Sequence, residues 1–449
     1  MASSPAVQSL SVQCPAGWQV VPLSDMAYFQ EGPGILAKDF RDLGVPLVRL
    51  KGVEGDYVTL DGCNYLDPDM VTRKWSQFQL DIGDLLISTS ASLGRVSVVT
   101  TETAGAIPYT GLIRFKPKDG RVKPEYLKAF LGSAAFRGQA EAMASGSVIR
   151  HFGPSHIKQM AILVPPLWEQ MEIGAIASLL DARLRLLRET NAALESIAQA
   201  IFKSWFIDFD PVRAKAEGRE PEGMDANTAA LFPSEFEDWE LGLIPKGWRS
   251  GTLGDLADLN GSTWSAKRHP SVIRYVDLGN VKANSIADIL EFQFTDAPSR
   301  ARRELRAGDT IVGTVRPGNR SFAYIEESQA GLTGSTGFAV LSPRQPSARE
   351  FVYLAATTAE NIARLANLAD GAAYPAVRPE VVSATPGVFP PDEVLGAFSG
   401  IVAPLFSRKA ETDRVTSSLS DLRDALLPRL ISGRLRLSDV REDIEAAIA

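Results

Sequence analysis

The sequence predicts an α+β protein made of two copies of one domain, each copy followed by a long helix. Three observations carry this. First, the punctuation of the chain occurs twice. Pro15, Gly17 and Trp18 return as Pro245, Gly247 and Trp248, and Leu80, Gly83, Asp84 and Arg95 return as Leu305, Gly308, Asp309 and Arg320. Gly146, Pro154, Pro165 and Pro166 return as Gly371, Pro379, Pro390 and Pro391. The offset is 230 residues at the entrance of each copy and a steady 225 afterwards. Second, short β-rich runs lie between Gly, Asp and Pro inside each copy. Third, a heptad pattern follows each copy. Agreement at Gly and Pro, where backbone geometry restricts the choice, with divergence elsewhere describes one architecture used to meet two partners, or two parts of one partner.

Taken in order, residues 1–13 (MASSPAVQSLSVQ) lack the basic start and apolar run of a secretory signal. The first domain is expected over 14–165, with strands in 85–89, 96–99 and 112–115 and helical segments near 125–143. A long helix is expected over 166–207: Ile173, Leu180, Leu187, Leu194 and Ile201 fall seven apart, with Ile176 and Ile197 between them. Forty residues of helix extend roughly 60 Å. Residues 208–244 are acidic, contain Pro and have little periodicity, as expected for a connector spread over other surfaces. The second domain spans 245–390, with helical segments near 349–367. A second long helix covers 391–428, its seam formed by Phe398, Ile401, Leu405, Val415, Leu419, Leu422 and Leu426 and weakened by Arg408 and Thr412. A tail of 429–449 ends the chain. Each helix buries only a stripe and so needs a partner, and the two copies supply it for each other.

Composition narrows the function. The chain has 449 residues, too many for one ordinary core, and 45% of them are hydrophobic. Its apolar runs are too short to span a membrane, which implies no membrane partner and a soluble, cytoplasmic protein. Cys14 and Cys63 both lie in the first copy, which argues against a disulfide-stapled fold. The net charge is −7, yet residues 15–165 hold 16 Lys and Arg against 15 Asp and Glu, and residues 245–390 hold 16 against 14. Both domains are therefore slightly positive, and the acidic excess lies in the connecting and terminal segments. Local charge decides what a surface attracts, so a polyanionic partner stays open.

Enzyme chemistry is largely missing. The sequence has no Gly-x-x-x-x-Gly-Lys phosphate loop, no Asp or Glu two residues before a lysine as in many nucleases, and no Asn-Pro-Pro-aromatic tetrapeptide of the kind that grips a flipped adenine. His151, His156 and His269 with two lone cysteines form no metal-ligand spacing. A large duplicated protein without catalytic groups points to a binding role.

Three longer strings sharpen this: IAQAIFKSWFIDFDPVRAKAEG at 197–218, LFPSEFEDWELGLIPKGW at 231–248 and ALLPRLISGRLRL at 425–437. With them the whole chain resembles the specificity subunits of type I restriction–modification systems. The resemblance implies two target-recognition domains separated by a pair of long antiparallel coiled-coil helices in a pseudo-twofold arrangement. Each domain would read one half of a split, asymmetric site in double-stranded DNA. The subunit would do no chemistry. Two methyltransferase subunits would dock on it and modify an adenine in each half-site with S-adenosylmethionine, and motor–nuclease subunits would use ATP and magnesium; no cofactor or metal is expected in this chain itself.

The duplication sorts the DNA-contacting candidates. If the half-sites differ, residues that agree between copies cannot distinguish them, so Arg95 and Arg320 are expected on phosphates. Divergent polar loops are the expected base readers: Arg150 and His151 in the first copy, Tyr374 and Arg378 in the second. Arg73, Lys74, Trp264, Lys267, Arg268 and Arg316 are secondary, phosphate-type candidates. Trp18 and Trp248 read as core or interface aromatics. Two other readings stay open: a coiled-coil scaffold or adaptor without DNA readout, and a stand-alone DNA modification enzyme, against which the missing tetrapeptide and cofactor loop argue.

Overall fold

In a computed structural model of the chain, residues 14–89, 95–143, 152–239, 242–371, 374–435 and 437 are described. The chain divides into two compact units, one formed by 1–187 with 415–449 and the other by 188–414. The boundary passes through both long helices, Leu167–Phe206 and Asp392–Ile431.

In the first unit, a turn closed by the Trp18 N–H donating to the Pro15 carbonyl (3.1 Å) places Gly17 at φ +84°. Gln19–Pro22 then pairs antiparallel with Ala161–Val164, which joins the entrance of the domain to its exit. A four-stranded antiparallel sheet follows in the order Ala27–Glu31, Leu112–Pro117, Leu85–Ser88, Val96–Val98. A second sheet has the order Phe40–Arg41, Asn64–Leu66, Val45–Val48, Ile107–Pro108, the last two strands parallel. Helices Pro124–Leu131 and Ala134–Met143 bury Tyr126, Phe130 and Phe136 beneath the first sheet.

The second unit repeats this plan. Trp248 N–H donates to the Pro245 carbonyl (3.0 Å) with Gly247 at φ +80°, and Arg249–Thr252 pairs with Pro386–Phe389. The first sheet runs Ala257–Leu259, Phe338–Pro343, Thr310–Gly313, Phe322–Tyr324, the same order as before. The second sheet keeps the parallel pair, Val272–Val276 with Leu332–Ser335, but places Leu290–Gln293 on one side and Ala301–Glu304 on the other. The two copies therefore share their first sheet and differ in the outer strands of the second.

One matched device explains Gly83-Asp84 and Gly308-Asp309. Both glycines sit in left-handed turns, at φ +87° and +89°, a conformation that costs a Cβ-bearing residue. Both aspartates are buried, and each accepts a hydrogen bond from the backbone three residues earlier, Asp81 N–H to Asp84 (2.9 Å) and Arg306 N–H to Asp309 (2.7 Å). Burial pushes both carboxyls above the usual range. In the first copy the aspartate also has a buried ion-pair partner: Arg114 lies 3.5 Å from Asp84 and donates to the Gln79 carbonyl and to Gln30 Oε1, both at 2.6 Å; among the described residues Asp309 has no such ion pair.

The helices pack within each unit. In the first unit, Leu180 and Leu184 meet Leu419, while Ile173 and Ala177 share a core with Leu426, Leu430 and Ile431. In the second, Ala198, Phe202, Trp205 and Phe206 meet Val394, Leu395, Phe398, Val402 and Phe406. In each unit an early stretch of one helix meets a late stretch of the other, so the pairing is antiparallel. Of the expected seam, Ile173, Leu180, Phe398, Leu419 and Leu426 are buried, whereas Leu187, Leu194, Ile201 and Leu405 are half-buried. Ile197, Ile401 and Val415 are exposed, contrary to expectation. The intermediate row that is buried is instead Ala177, Leu184, Asn191, Ala198 and Trp205, because these lie four residues after each seam position and complete a 3.5-residue repeat.

The connector, expected to spread over other surfaces, has regular structure despite its weak periodicity. It forms helices Asp210–Ala216 and Ala226–Ala230 and the hairpin of Phe236–Trp239 with Gly242–Pro245. Phe209, Val212 and Phe232 are buried with Trp205, Phe206 and Trp248, so aromatic rings tie it into the core of the second unit around Trp248. Its acidic composition concealed these three apolar anchors.

Replacing Arg114 by Met leaves Asp84 buried without its counter-ion, which costs about 3–5 kcal/mol for a buried pair broken on one side. The loss is expected to shrink between about pH 7.5 and pH 4.5: the Asp84 pKa is already raised in the folded state, and protonation there removes the stranded charge. Urea denaturation of the full chain at the two pH values measures both effects; equal losses at both would contradict this assignment.

Candidate nucleic-acid interface

The expected contact residues fall into separate structural settings. In the first unit, Asp67 caps a short helix, Pro68–Met70, that continues into a π-helical turn, Val71–Trp75. That turn carries Arg73 and Lys74 outward; the Arg73 guanidinium returns one hydrogen bond to the Asp69 carbonyl (3.2 Å). Arg95 is exposed at the start of Val96–Val98 and donates to the Glu54 carbonyl (3.2 Å). Arg150 and His151 lie outside the described residues. A basic side chain that sequence reasoning overlooked is Arg49, whose guanidinium stacks 4.1 Å from the Tyr109 ring centroid and donates to Asn64 Oδ1.

In the second unit, two loops are zipped together by the Val315–Ala376 bridge, by Arg316 N–H donating to the Pro375 carbonyl (2.7 Å) and by Val377 N–H donating to the Thr314 carbonyl (2.9 Å). The result brings Arg316 over the exposed Tyr374 ring, 4.9 Å from its centroid. Arg378 follows, exposed at the N-cap of Pro379–Ser383, with no carboxylate in ion-pair range among the described residues. Arg316 and Arg320 flank the turn Pro317–Asn319 and both adopt positive φ, +48° and +60°. Such backbone costs of order 1 kcal/mol per residue and persists only where neighbours enforce it. The Arg320 guanidinium covers Phe322 at 5.5 Å.

Trp264, Lys267 and Arg268 are built on the other sheet. Trp264 packs against Ile273, Tyr275 and Ala301, and its Nε1 donates to Thr333 Oγ1 (2.8 Å), so it supports the sheet and is not free to stack on a base. Arg268 lies 5.3 Å over that indole and 3.3 Å from Glu304. Lys267, between them, is exposed. His269 stacks on Phe294 at 3.7 Å with nearly parallel rings. His156 Nδ1 accepts from the Gly153 N–H. Among the described residues no group of three or more His, Cys, Asp or Glu is placed to hold a metal ion, and no helix is long and apolar enough to cross a membrane.

Many of the arginines around this second sheet are already paired with carboxylates: Arg274 with Glu291, Arg300 with Asp277, and Arg268 and Arg306 sharing Glu304. Counting basic residues along the sequence overstates the charge available to a polyanion. Among the expected contact residues, Lys267, Arg316, Arg320 and Arg378 in the second unit and Arg73, Lys74 and Arg95 in the first are exposed.

Residues 15–196 match the family described as the type I restriction modification DNA specificity domain. The chain is 21% identical over 433 residues to a type I restriction enzyme specificity subunit of Methanocaldococcus jannaschii, with 95% of each chain covered. It is 25% identical over 405 residues to the corresponding HindI subunit of Haemophilus influenzae, covering 79% of this chain and 86% of that one. Its fold is similar to the crystal structure of a type I restriction–modification S subunit from M. genitalium, with a TM-score of 0.53 at 14% identity over 92% of this chain and 96% of the other. Residues 15–196 thus carry a type I restriction modification DNA specificity domain, a domain family whose role is DNA sequence recognition, and along nearly its whole length the chain is similar to type I restriction enzyme specificity subunits.

Proposed function

We propose that each of the two units reads one half of a split, asymmetric site in double-stranded DNA, in the cytoplasm and without performing chemistry itself. The observation that carries this reading is the duplication: one framework, repeated to the strand order of its first sheet, bears two second sheets that differ in their outer strands. Two methyltransferase subunits would act on the half-sites with S-adenosylmethionine, and motor–nuclease subunits would add ATP- and magnesium-dependent cleavage. A surface suited to a protein partner supports this. Trp168, Met171, Leu179 and Leu186 are 49–62% exposed and, with Ala175 and Ala182, form a continuous apolar stripe along the first long helix. The residues at the 225 offset are Glu393, Gly396, Gly400, Pro404, Ser407 and Glu411, so the second helix carries no such stripe. An apolar face of this kind on an exposed helix marks an interaction site.

Mapping methylated adenines genome-wide in cells with and without this gene, alongside its methyltransferase, tests the central claim. A split motif that disappears with the gene is the expected outcome; an unchanged methylome would mean a scaffold without readout, and S-adenosylmethionine binding by the purified chain would mean a modification enzyme.

Readers and clamps separate by mutation. Arg378→Ala is expected to relax one base position in one half-site by about 1–3 kcal/mol, the worth of a bidentate arginine–guanine pair. Arg95→Ala or Arg320→Ala should instead weaken all sequences alike and reduce the salt slope by about 0.9 for each phosphate that is no longer neutralised. Affinities of the assembled complex for singly substituted sites at several salt concentrations decide the matter; the reverse pattern would defeat the inference from divergence to readout.

The stripe gives a further outcome. Trp168→Glu with Leu179→Glu is expected to reduce the amount of methyltransferase that co-purifies, by about one of the two copies, while leaving the circular dichroism of the subunit unchanged, because both side chains face solvent in the free chain. Undiminished co-purification would place the partner elsewhere.

A further inference from the structure

Within the second unit, one residue of the recognition domain is held by both long helices at once. Asn284 is buried at the tip of the hairpin formed by Val281–Lys282 and Ser285–Ile286, in the left-handed region at φ +62°, after Ala283 at +44°. Every polar group it owns is used. Its side-chain amide donates to Glu195 Oε2 on the first helix (2.6 Å), and its side-chain oxygen accepts from the Tyr324 N–H (2.9 Å). Its backbone N–H donates to the Phe322 carbonyl (2.8 Å), and its own carbonyl accepts from Lys409 Nζ on the second helix (2.7 Å).

The two clamps are themselves tied down. The other oxygen of Glu195 accepts from the hydroxyl of buried Tyr353 (2.6 Å). Lys409 also pairs with Asp413 (2.9 Å), whose second oxygen accepts from Asn191 on the first helix (2.6 Å). Beside these bonds, the domain meets the second helix through single hydrogen bonds, Ser399 to Glu350 (2.8 Å) and Ser407 to Glu326 (2.6 Å), neither of which engages the first helix as well, and through aromatic rings, Tyr324 and Tyr353 against Phe406 at 5.2 and 5.3 Å. Ring packing tolerates sliding because it is not directional, whereas a chain of short hydrogen bonds from two helices to one side chain fixes a position. In the first unit the position matched to Tyr353 is Lys128, which makes an ion pair with Asp181 (3.1 Å), so this arrangement belongs to the second copy.

We propose that Asn284, with Glu195 and Lys409, acts as a positioning latch: it fixes where the second recognition domain sits along the helix pair and thereby the register of the second half-site, without reading bases. The proposal rests on the split-site reading. A step of one base pair is about 3.4 Å along DNA, so slippage of that order in the latch converts into an altered spacer.

The test uses the full chain expressed with its methyltransferase and reads the spacer distribution of methylated sites. Asn284→Gly keeps the left-handed backbone and removes the side-chain contacts. Sites with a spacer one base pair longer or shorter are expected to gain methylation at least about tenfold, a difference of about 1.4 kcal/mol, with half-site bases unchanged. Glu195→Ala should do the same, and Glu195→Gln, which retains an acceptor, should return the distribution toward that of the unmodified chain. If Asn284→Gly yields no folded subunit, Lys409→Met carries the same test. Unaltered spacing in methylating variants would overturn the latch, and so would altered half-site bases, which would make these residues readers. Absence of any split motif with the unmodified chain would defeat the functional reading itself, and that result is visible before any variant is made.

Discussion

Neither long helix can bury its apolar stripe by itself, and the mutual burial of the two is the constraint on which the remaining structure depends. Leu180 and Leu184 are covered by Leu419, and Phe202 and Phe206 by Phe398. Because an early stretch of one helix meets a late stretch of the other, neither unit is made simply from one half of the sequence. Each domain closes on itself through an entrance–exit strand pair and then seats on helical segments drawn from both halves. The connector is drawn into the second core for the same reason: Phe232 covers Trp205 of the first helix's last turns, and Phe209 packs on Trp248 in the same core.

Along the helix pair the chemistry changes. In the first unit the buried row is leucine-rich, whereas around Asn191 it turns polar, with Thr412, Lys409 and Asp413 on the opposing helix. A buried asparagine in a coiled coil lowers stability and restricts register, since displaced pairings strand its amide. The weak point in the second heptad pattern at Arg408 and Thr412 is thus where directional contacts replace apolar ones. Thr412 stays buried and returns its hydroxyl to the Arg408 carbonyl.

The recognition surface shows a related division of labour. Arginines near the divergent second sheet are mostly held by carboxylates or stacked on rings, which fixes their geometry and spends their charge inside the protein. Arg316 and Arg320, exposed and stacked on Tyr374 and Phe322, sit on a turn whose backbone is constrained. Pre-set cations on a rigid frame lose less conformational entropy on meeting a polyanion than flexible ones do. This arrangement suits a protein that must discriminate between sequences.

The sequence by itself determined the duplication, the two long helices and the α+β texture of the domains, because Gly, Pro, Asp in turns and heptad leucines answer to local backbone geometry and periodicity. Gly83-Asp84 and Gly308-Asp309 were legible as a pair for that reason, and the turn they form is the same in both copies. Tertiary structure decided what depends on distant residues meeting. It moved Ile197, Ile401 and Val415 out of the seam and brought Ala177, Leu184, Asn191, Ala198 and Trp205 in, since which face is buried depends on the partner helix. It made Trp264 a prop for a sheet and not a free contact, set Tyr374 under Arg316 across 58 residues of chain, and gathered Glu195, Asn284 and Lys409 into one hydrogen-bonded chain. Directional bonds between side chains far apart in sequence leave no periodic trace, and that is why these contacts emerge only when the chain is folded.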